Sequence, residues 1–298
     1  MTDSQRVTET APIDMIARSG DTAFISGEDR WSYDQFATEI DRLAAGMAAR
    51  GIRPGDRVAL HLRNGPEIAV AYYACFRLGA IAAPLNLRFK PAELEEVLGR
   101  LTPNLYLGHA DLYARVAGLD TAILGAEDRY VVGATEEPSA RSWTDLLGDP
   151  AATPPPGQAD LHAPVVLLLT SGTTGQPKLV AHSISTLTRA VDQFACLGFT
   201  TGGVHAFLRP MVHASGLFFM LYTTRLRMTQ VMLDPTAPEA ILDAIEKHRC
   251  TYLPVPVFSC DALIEGQRRK PRDLSSLTAC GISADICPPG RQDAFRSV

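Results

Sequence analysis

The feature that most constrains this chain is the repeated order of short apolar runs and amphipathic segments, each punctuated by Pro or Gly. Phe24-Ile25-Ser26 reads as a short strand, and Ser32 with Gln35 forms a capping box that opens a helix running towards Arg50, where Gly51 supplies the stop. Asp56 to Leu62 has the pattern of a strand, Pro66 stands at a helix start, and that helix runs through Phe76 to end near Gly79, before the strand-like Ile81 to Leu85. Pro91 opens another helix to Leu101, and Asn104 to Gly108 and Arg129 to Val132 are further strands. Strands that alternate with helices need crossover connections, so the expected fold is α/β, with layered, largely parallel β-sheets covered by helices.

From Gly148 to Asp160 the pattern stops, and three consecutive prolines mark an exposed connector. The expected organisation is a first α/β subdomain over 1–150, a linker at 151–163 and a second α/β subdomain over 164–298. In the second, Val165 to Leu169, Val204 to Leu208 and Val231 to Leu233 read as strands and Pro238 to His248 as a helix. No repeat recurs at a fixed period, which excludes a solenoid.

Charge and composition remove several function classes. The 28 basic and 33 acidic residues give a net charge of -5, and no basic stripe offers a footprint for nucleic acid or an anionic membrane. The longest apolar stretch, Ile68 to Phe76, ends at Arg77, well short of the ~20 residues that span a bilayer. The polar N-terminus leads into no apolar signal region, so a cytoplasmic location is expected. Six cysteines, Cys75, Cys196, Cys250, Cys260, Cys280 and Cys287, show no C-x-x-C pair and are expected to be buried thiols, neither metal ligands nor disulfides.

The segment with chemistry is Thr170-Ser171-Gly172-Thr173-Thr174-Gly175-Gln176-Pro177-Lys178, between the apolar run 165–169 and the strand-like Leu179-Val180-Ala181. Glycines let main-chain N–H groups approach anionic oxygens, hydroxyls add donors, and a lysine adds a compact positive charge, which together suit a polyphosphate. The common P-loop of ATPases is disfavoured, because Pro177 occupies the place of its second glycine and Leu179 that of its magnesium-binding Ser or Thr. Lysine is itself the exception in this chain: Lys90, Lys178, Lys247 and Lys270 are the only four among 28 basic residues. A lysine where arginine is the rule points to a chemical role.

This stretch resembles the signature loop of the adenylate-forming superfamily, which includes AMP-forming acyl- and aryl-CoA synthetases, luciferases and peptide-synthetase adenylation domains. The resemblance implies that Thr170, Ser171, Gly172, Thr173, Thr174, Gly175 and Lys178 grip the β- and γ-phosphates of ATP. A carboxylic acid would then attack the α-phosphate, giving an acyl-adenylate and pyrophosphate, and a thiol, usually coenzyme A, would take the acyl group. Arg209 to Leu217 resembles the family's Pro-x-x-His-x-x-Gly segment. An isolated histidine is more often a satisfied core residue, but Pro210 and Gly216 at matching offsets favour His213, with Gly216, at the carboxylate pocket.

Thr251 to Phe258 resembles the Thr-x-x-x-x-Val-Pro-Thr strand and turn, which implies that Phe258 helps wall the acyl pocket, although a buried strand explains the pattern equally well. Ala279 to Ala284 occupies the place of the family's Gly-Gly-Ala-Pro loop, so the resemblance implies that Gly281, Ile282 and Ser283 lie against adenine, with Gly281 the good match. Trp31-Ser32-Tyr33, Gly55 to Ala59 and Gly79 to Asn86 resemble the family's N-terminal region without assigned chemistry.

The fold implied is that of the large N-terminal domain of adenylate-forming enzymes, from about residue 12 onward, covering the first half or so of a complete member. Within these 298 residues the Tyr-Gly-x-Thr-Glu motif, whose glutamate holds magnesium, has no counterpart, nor has the C-terminal domain with the lysine that assists adenylation. The implied cofactors are therefore ATP, Mg2+ bound mainly by residues outside this chain, and coenzyme A as co-substrate. Little turnover is expected from these residues alone, since electrostatic stabilisation is usually the largest catalytic contribution. A sheet ended part-way would also expose a strand edge and favour self-association as a homo-oligomer. Two alternatives stay open: an adenylation domain serving a carrier protein, and a non-catalytic nucleotide- or partner-binding remnant. Fatty, aryl and short acids are all open as substrates, and the apolar run from Gly216 to Leu221 suits an apolar acid and a buried helix alike.

Overall fold

A computed structural model of the protein describes residues 16–150, 160–170, 178–283 and 285–297. Its strands, in chain order, are β1 (Thr22–Ser26), β2 (Asp29–Ser32), β3 (Arg57–His61), β4 (Ile81–Pro84), β5 (Leu105–His109), β6 (Arg129–Val132), β7 (Arg141–Ser142), β8 (Pro164–Thr170), β9 (Lys178–Ser183), β10 (Val204–Phe207), β11 (Thr229–Met232), β12 (Tyr252–Pro256) and β13 (Ala279–Ser283). The helices are α1 (Tyr33–Ala49), α2 (Pro66–Leu78), α3 (Pro91–Leu101), α4 (Ala110–Tyr113), α5 (Trp143–Leu146), α6 (Ile184–Asp192), α7 (Ala214–Arg225), α8 (Pro238–His248), α9 (Cys260–Arg269) and α10 (Pro289–Arg296).

Two compact units result, each built on its own sheet. As far as it is described, the first comprises 16–18, 34–190 and 210–218, and the second 19–33, 191–209 and 219–297. This differs from the division expected at 151–163. Strands β8 and β9, beyond the proline run, join the first sheet through the parallel pairing of β4 with β8, whereas the N-terminal hairpin β1–β2 joins the second sheet through the parallel pairing of β1 with β11. Ladder hydrogen bonds between distant segments set the units, and a run of prolines in the sequence does not report on them.

In the first unit the order is β7-β6-β5-β3-β4-β8-β9, parallel except for the antiparallel β8–β9 hairpin. Helix α2 follows β3 because Pro66, with no N–H to lose, occupies its first turn, and it stops because Gly79 adopts a left-handed φ of 67° and caps the carbonyls of Cys75 and Phe76. Nearly every side chain of α2 is buried, so its all-round apolar sequence marks a helix enclosed by the unit. A second core gathers Leu94, Leu98, Tyr106 and Tyr113 where α3 and the 110–124 segment cover the sheet. Arg129 is buried at the start of β6, where its guanidinium donates to the carbonyls of Val116, Leu119 and Leu124 at 3.2, 2.9 and 2.6 Å.

In the second unit the order is β13-β12-β10-β11-β1-β2, parallel apart from the β1–β2 hairpin. Its core joins Ala206, Val231, Ile241, Ile245, Leu253, Val255 and Leu263, the apolar faces of β10 to β12 with α8 and α9. Residues 279–283, expected as a loop, form the strand β13, in register with β12 from Tyr252↔Ala279 to Pro256↔Ser283. The expectation of buried thiols holds for Cys75, Cys250 and Cys260, but Cys196 and Cys280 are exposed and Cys287 is half-buried. Cys280 lies on β13, the outermost strand of the described sheet, and Cys196 on the short 3-10 turn after α6, positions that burial by a neighbouring layer does not reach. Among the described residues no helix is long and apolar enough to cross a membrane.

Candidate functional site

Strand β8 is apolar because its Val165, Val166 and Leu168 enter the core of the first unit, and it turns back antiparallel on itself as β9. Thr170 and Lys178 are the last cross-strand partners of this hairpin, and the Thr170 hydroxyl donates to the Lys178 carbonyl at 3.5 Å. They form the last rung of the ladder, on either side of the Ser/Thr/Gly segment in the sequence. Ser171, Gly172, Thr173, Thr174 and Gly175 fall at 171–177, outside the described residues. Both Thr170 and Lys178 are exposed. Lys270 and Lys247 each face a carboxylate, Asp243 at 3.2 Å and Glu28 at 3.6 Å, whereas Lys178 pairs with no carboxylate among the described residues. An exposed ammonium that meets no carboxylate among the described residues can attract an anion.

Strand β9 ends at Ser183, which caps α6 reciprocally: Thr186 N–H donates to Ser183 Oγ at 3.3 Å and Ser183 N–H to Thr186 Oγ1 at 2.8 Å. One residue earlier, the His182 ring meets Phe218 edge-on with centroids 5.9 Å apart. Phe218 belongs to the same helix, α7, whose N-terminus carries His213. The strand that begins with Lys178 thus meets, at its far end, the helix that follows the His213 turn.

His213 is exposed on the turn that enters α7. Its N–H donates to the Pro210 carbonyl at 3.1 Å and its own carbonyl accepts from Leu217 N–H at 3.0 Å. Desolvation, and then the nearby Arg88 cation, hold its pKa below the ordinary 6.5, so the ring is neutral at pH 7. Gly216 explains the spacing of Pro-x-x-His-x-x-Gly. A Cβ at 216 would stand 2.0 Å from the Pro210 carbonyl oxygen and 2.8 Å from Met211 Cα, so only glycine lets the 210–213 turn fold onto the first turn of the helix. Its part is close backbone approach.

In the second unit Gly281 has a similar reason, since a Cβ there would meet Tyr252 Oη at 2.4 Å. Ile282 packs against the core, and Ser283 Oγ accepts a hydrogen bond from Arg209. Arg209 also lies over the Phe219 ring, 4.6 Å from its centroid. Neither Arg209 nor this pairing is apparent from the sequence, where Arg209 is merely the residue before a motif. Phe258 sits on the 3-10 turn after β12 and is 69% exposed, a large apolar side chain left in solvent. Arg209, Phe258 and Ser283 all follow or close the carboxyl ends of parallel strands, where ligands bind in open α/β sheets. A cavity of about 440 Å³ beneath α8 and α9 is lined by Leu242, Leu263, Leu277 and Phe295 and by none of the sequence-predicted site residues. Among the described residues no group of three or more His, Cys, Asp or Glu could hold a metal ion.

The profile of the AMP-binding enzyme family matches residues 15–298. The chain belongs to this family. It is 33% identical over 296 residues to a 3-[(3aS,4S,7aS)-7a-methyl-1,5-dioxo-octahydro-1H-inden-4-yl]propanoyl:CoA ligase of Mycobacterium tuberculosis, covering 94% of this chain and 57% of that protein. It is 28% identical over 275 residues to an indoleacetate–CoA ligase of Aromatoleum aromaticum, covering 90% and 53%. Among solved structures, an anthranilate CoA ligase in complex with anthranoyl-AMP matches with a TM-score of 0.86 at 19% identity, covering 100% of this chain and 58% of that one, which shows the shared fold. The chain thus spans about half the length of the curated relatives it matches.

Proposed function

We propose that the chain supplies the polyphosphate-gripping part of an AMP-forming acid–thiol ligase of the acyl-CoA synthetase type. The observation that carries this reading is the β8–β9 hairpin, whose last rung, Thr170 and Lys178, flanks the Ser/Thr/Gly segment in the sequence with an exposed lysine that meets no carboxylate among the described residues. In this reading Ser171 to Gly175 and Lys178 hold the β- and γ-phosphates of ATP, and Gly281, Ile282 and Ser283 lie against adenine. His213, held neutral, borders the carboxylate of the acid, Gly216 sets its turn, and Phe258 walls the acyl chain. The carboxylate oxygen attacks the α-phosphorus and pyrophosphate leaves; a thiol, coenzyme A, then attacks the acyl carbon and AMP leaves. That the named relatives are CoA ligases supports a carboxylic acid as substrate and coenzyme A as acceptor.

Competition against fluorescent ATP tests the reading. Pyrophosphate should displace the nucleotide and adenosine should do so far less well, because the phosphates supply most of the recognition. Equal competition by adenosine would overturn it. Pyrophosphate release with a panel of aryl and fatty acids should stay near background for these 298 residues, which lack the glutamate and second lysine implied by the resemblance.

A further inference from the structure

His213 inherits its position from Met211, two residues before it, and both main-chain groups of Met211 are taken by side chains from distant parts of the first unit. Asn64 Oδ1 accepts the Met211 N–H at 2.7 Å, and the Tyr72 hydroxyl donates to the Met211 carbonyl at 2.9 Å. Met211 and Tyr72 are fully buried. Asn64 follows the end of β3, and Tyr72 lies in the enclosed helix α2. Opposite edges of one residue's backbone are thus tied to the loop after β3 and to α2, so the 210–213 turn can neither rotate nor slide without losing one of these hydrogen bonds. A third restraint comes from Gly216, where the Pro210 carbonyl presses onto the helix. Burial holds the Tyr72 phenol well above its ordinary pKa, so it stays a donor at every working pH.

We propose that Asn64 and Tyr72 are positioning residues for His213, fixing through Met211 where its imidazole stands. The proposal rests on the reading of His213 as a border of the carboxylate pocket, and it gives a task to the β3–α2 loop and to a residue of α2 otherwise explained by packing alone. Placement is where such a device matters, since a shift of about 1 Å at a reacting centre can cost on the order of 100-fold in rate.

The test is an NMR titration of the His213 imidazole in the whole chain, for wild type, Tyr72→Phe, Asn64→Ala and Asn64→Asp, with the unfolding midpoint of each measured alongside. Tyr72→Phe keeps the ring and its packing and removes only the donor. The His213 midpoint should begin below 6.5 and move up towards it in Tyr72→Phe and Asn64→Ala, as the loosened turn lets the ring leave the neighbours and the Arg88 cation that hold it down. Asn64→Asp retains an acceptor for the Met211 N–H but adds a negative charge that itself raises a nearby imidazole, so it is read by hydrogen exchange of the Met211 amide, whose protection should match wild type while Asn64→Ala loses it. A lowered unfolding midpoint with an unmoved His213 titration would make both residues structural only and overturn the proposal. The pocket reading is tested separately, by adding benzoate or octanoate to wild type: an unperturbed His213 signal would sink that reading while the variant titrations still decide the clamp.

Discussion

Acidification from pH 7 to pH 5 should weaken each unit through one buried histidine, and His205→Met should abolish the share that belongs to the second. His205 is fully buried in a cage of Phe199, Phe207, Phe219 and Tyr252, and neither ring nitrogen has a hydrogen-bond partner among the described residues. Burial, followed by the Arg209 cation, lowers its pKa from 6.5 to about 3. In the first unit burial and then Arg115 lower His61 to about 4, although its Nδ1 lies 2.8 Å from the Tyr106 hydroxyl. Because the folded values lie below the unfolded 6.5, the unfolded chain binds more protons on acidification. Stability is therefore full above about pH 6.5, falls as the pH drops, and levels off near each folded value. At pH 5 the loss is on the order of 2 kcal/mol for each histidine relative to pH 7. Methionine at 205 is of similar size, makes favourable sulfur–aromatic contacts and cannot be protonated. Urea unfolding of wild type and His205→Met at pH 7 and pH 5 checks the argument: the variant should lose about 2 kcal/mol less on acidification. An identical pH dependence in the two proteins would refute it.

Other perturbations follow from the same packing. Gly216→Ala should destabilise the first unit by about 2–3 kcal/mol, because the new methyl group meets backbone, and should weaken protection of the Met211 amide in hydrogen exchange. Gly46→Ala should be still more damaging, since its Cβ would fall 1.5 Å from the Leu146 carbonyl oxygen, whereas Gly27→Ala, with open space around it but φ at 61°, should cost only about 1 kcal/mol. Thermal melts of the two variants make that comparison. Arg129→Met should remove about 3–5 kcal/mol by leaving the carbonyls of Val116, Leu119 and Leu124 without their donor, measurable as a lower urea midpoint.

Local chemistry was readable in the sequence wherever one residue type dictates one conformation. Pro66, Gly79, Pro91 and Pro238 stand at the helix boundaries they announce. The apolar run 165–169 and Leu179 to Ala181 become β8 and β9, so the Ser/Thr/Gly segment was placed correctly between two strands, though their antiparallel pairing was not foreseen. What escaped depends on partners far apart in the chain. Nothing local in Thr22 to Ser32 tells that this hairpin pairs with β11 rather than with the helices that follow it. Residues 279–283 lack a strong strand pattern and gain strand character only from the ladder to β12. The Met211 clamp joins residues separated by 147 and 139 positions, beyond the reach of any periodicity. Gly216 lies between these cases, because its spacing from Pro210 was visible while its reason, contact with the Pro210 carbonyl, needed coordinates.

The central claim is that the β8–β9 hairpin closes a polyphosphate cradle in which Lys178 is the decisive charge, and calorimetric titration of ATP into this chain and its Lys178→Ala variant tests it most directly. Circular dichroism would first establish that both are folded. The account predicts binding by wild type that disappears in Lys178→Ala. Equal binding by both proteins, or none by a folded wild type, would contradict it.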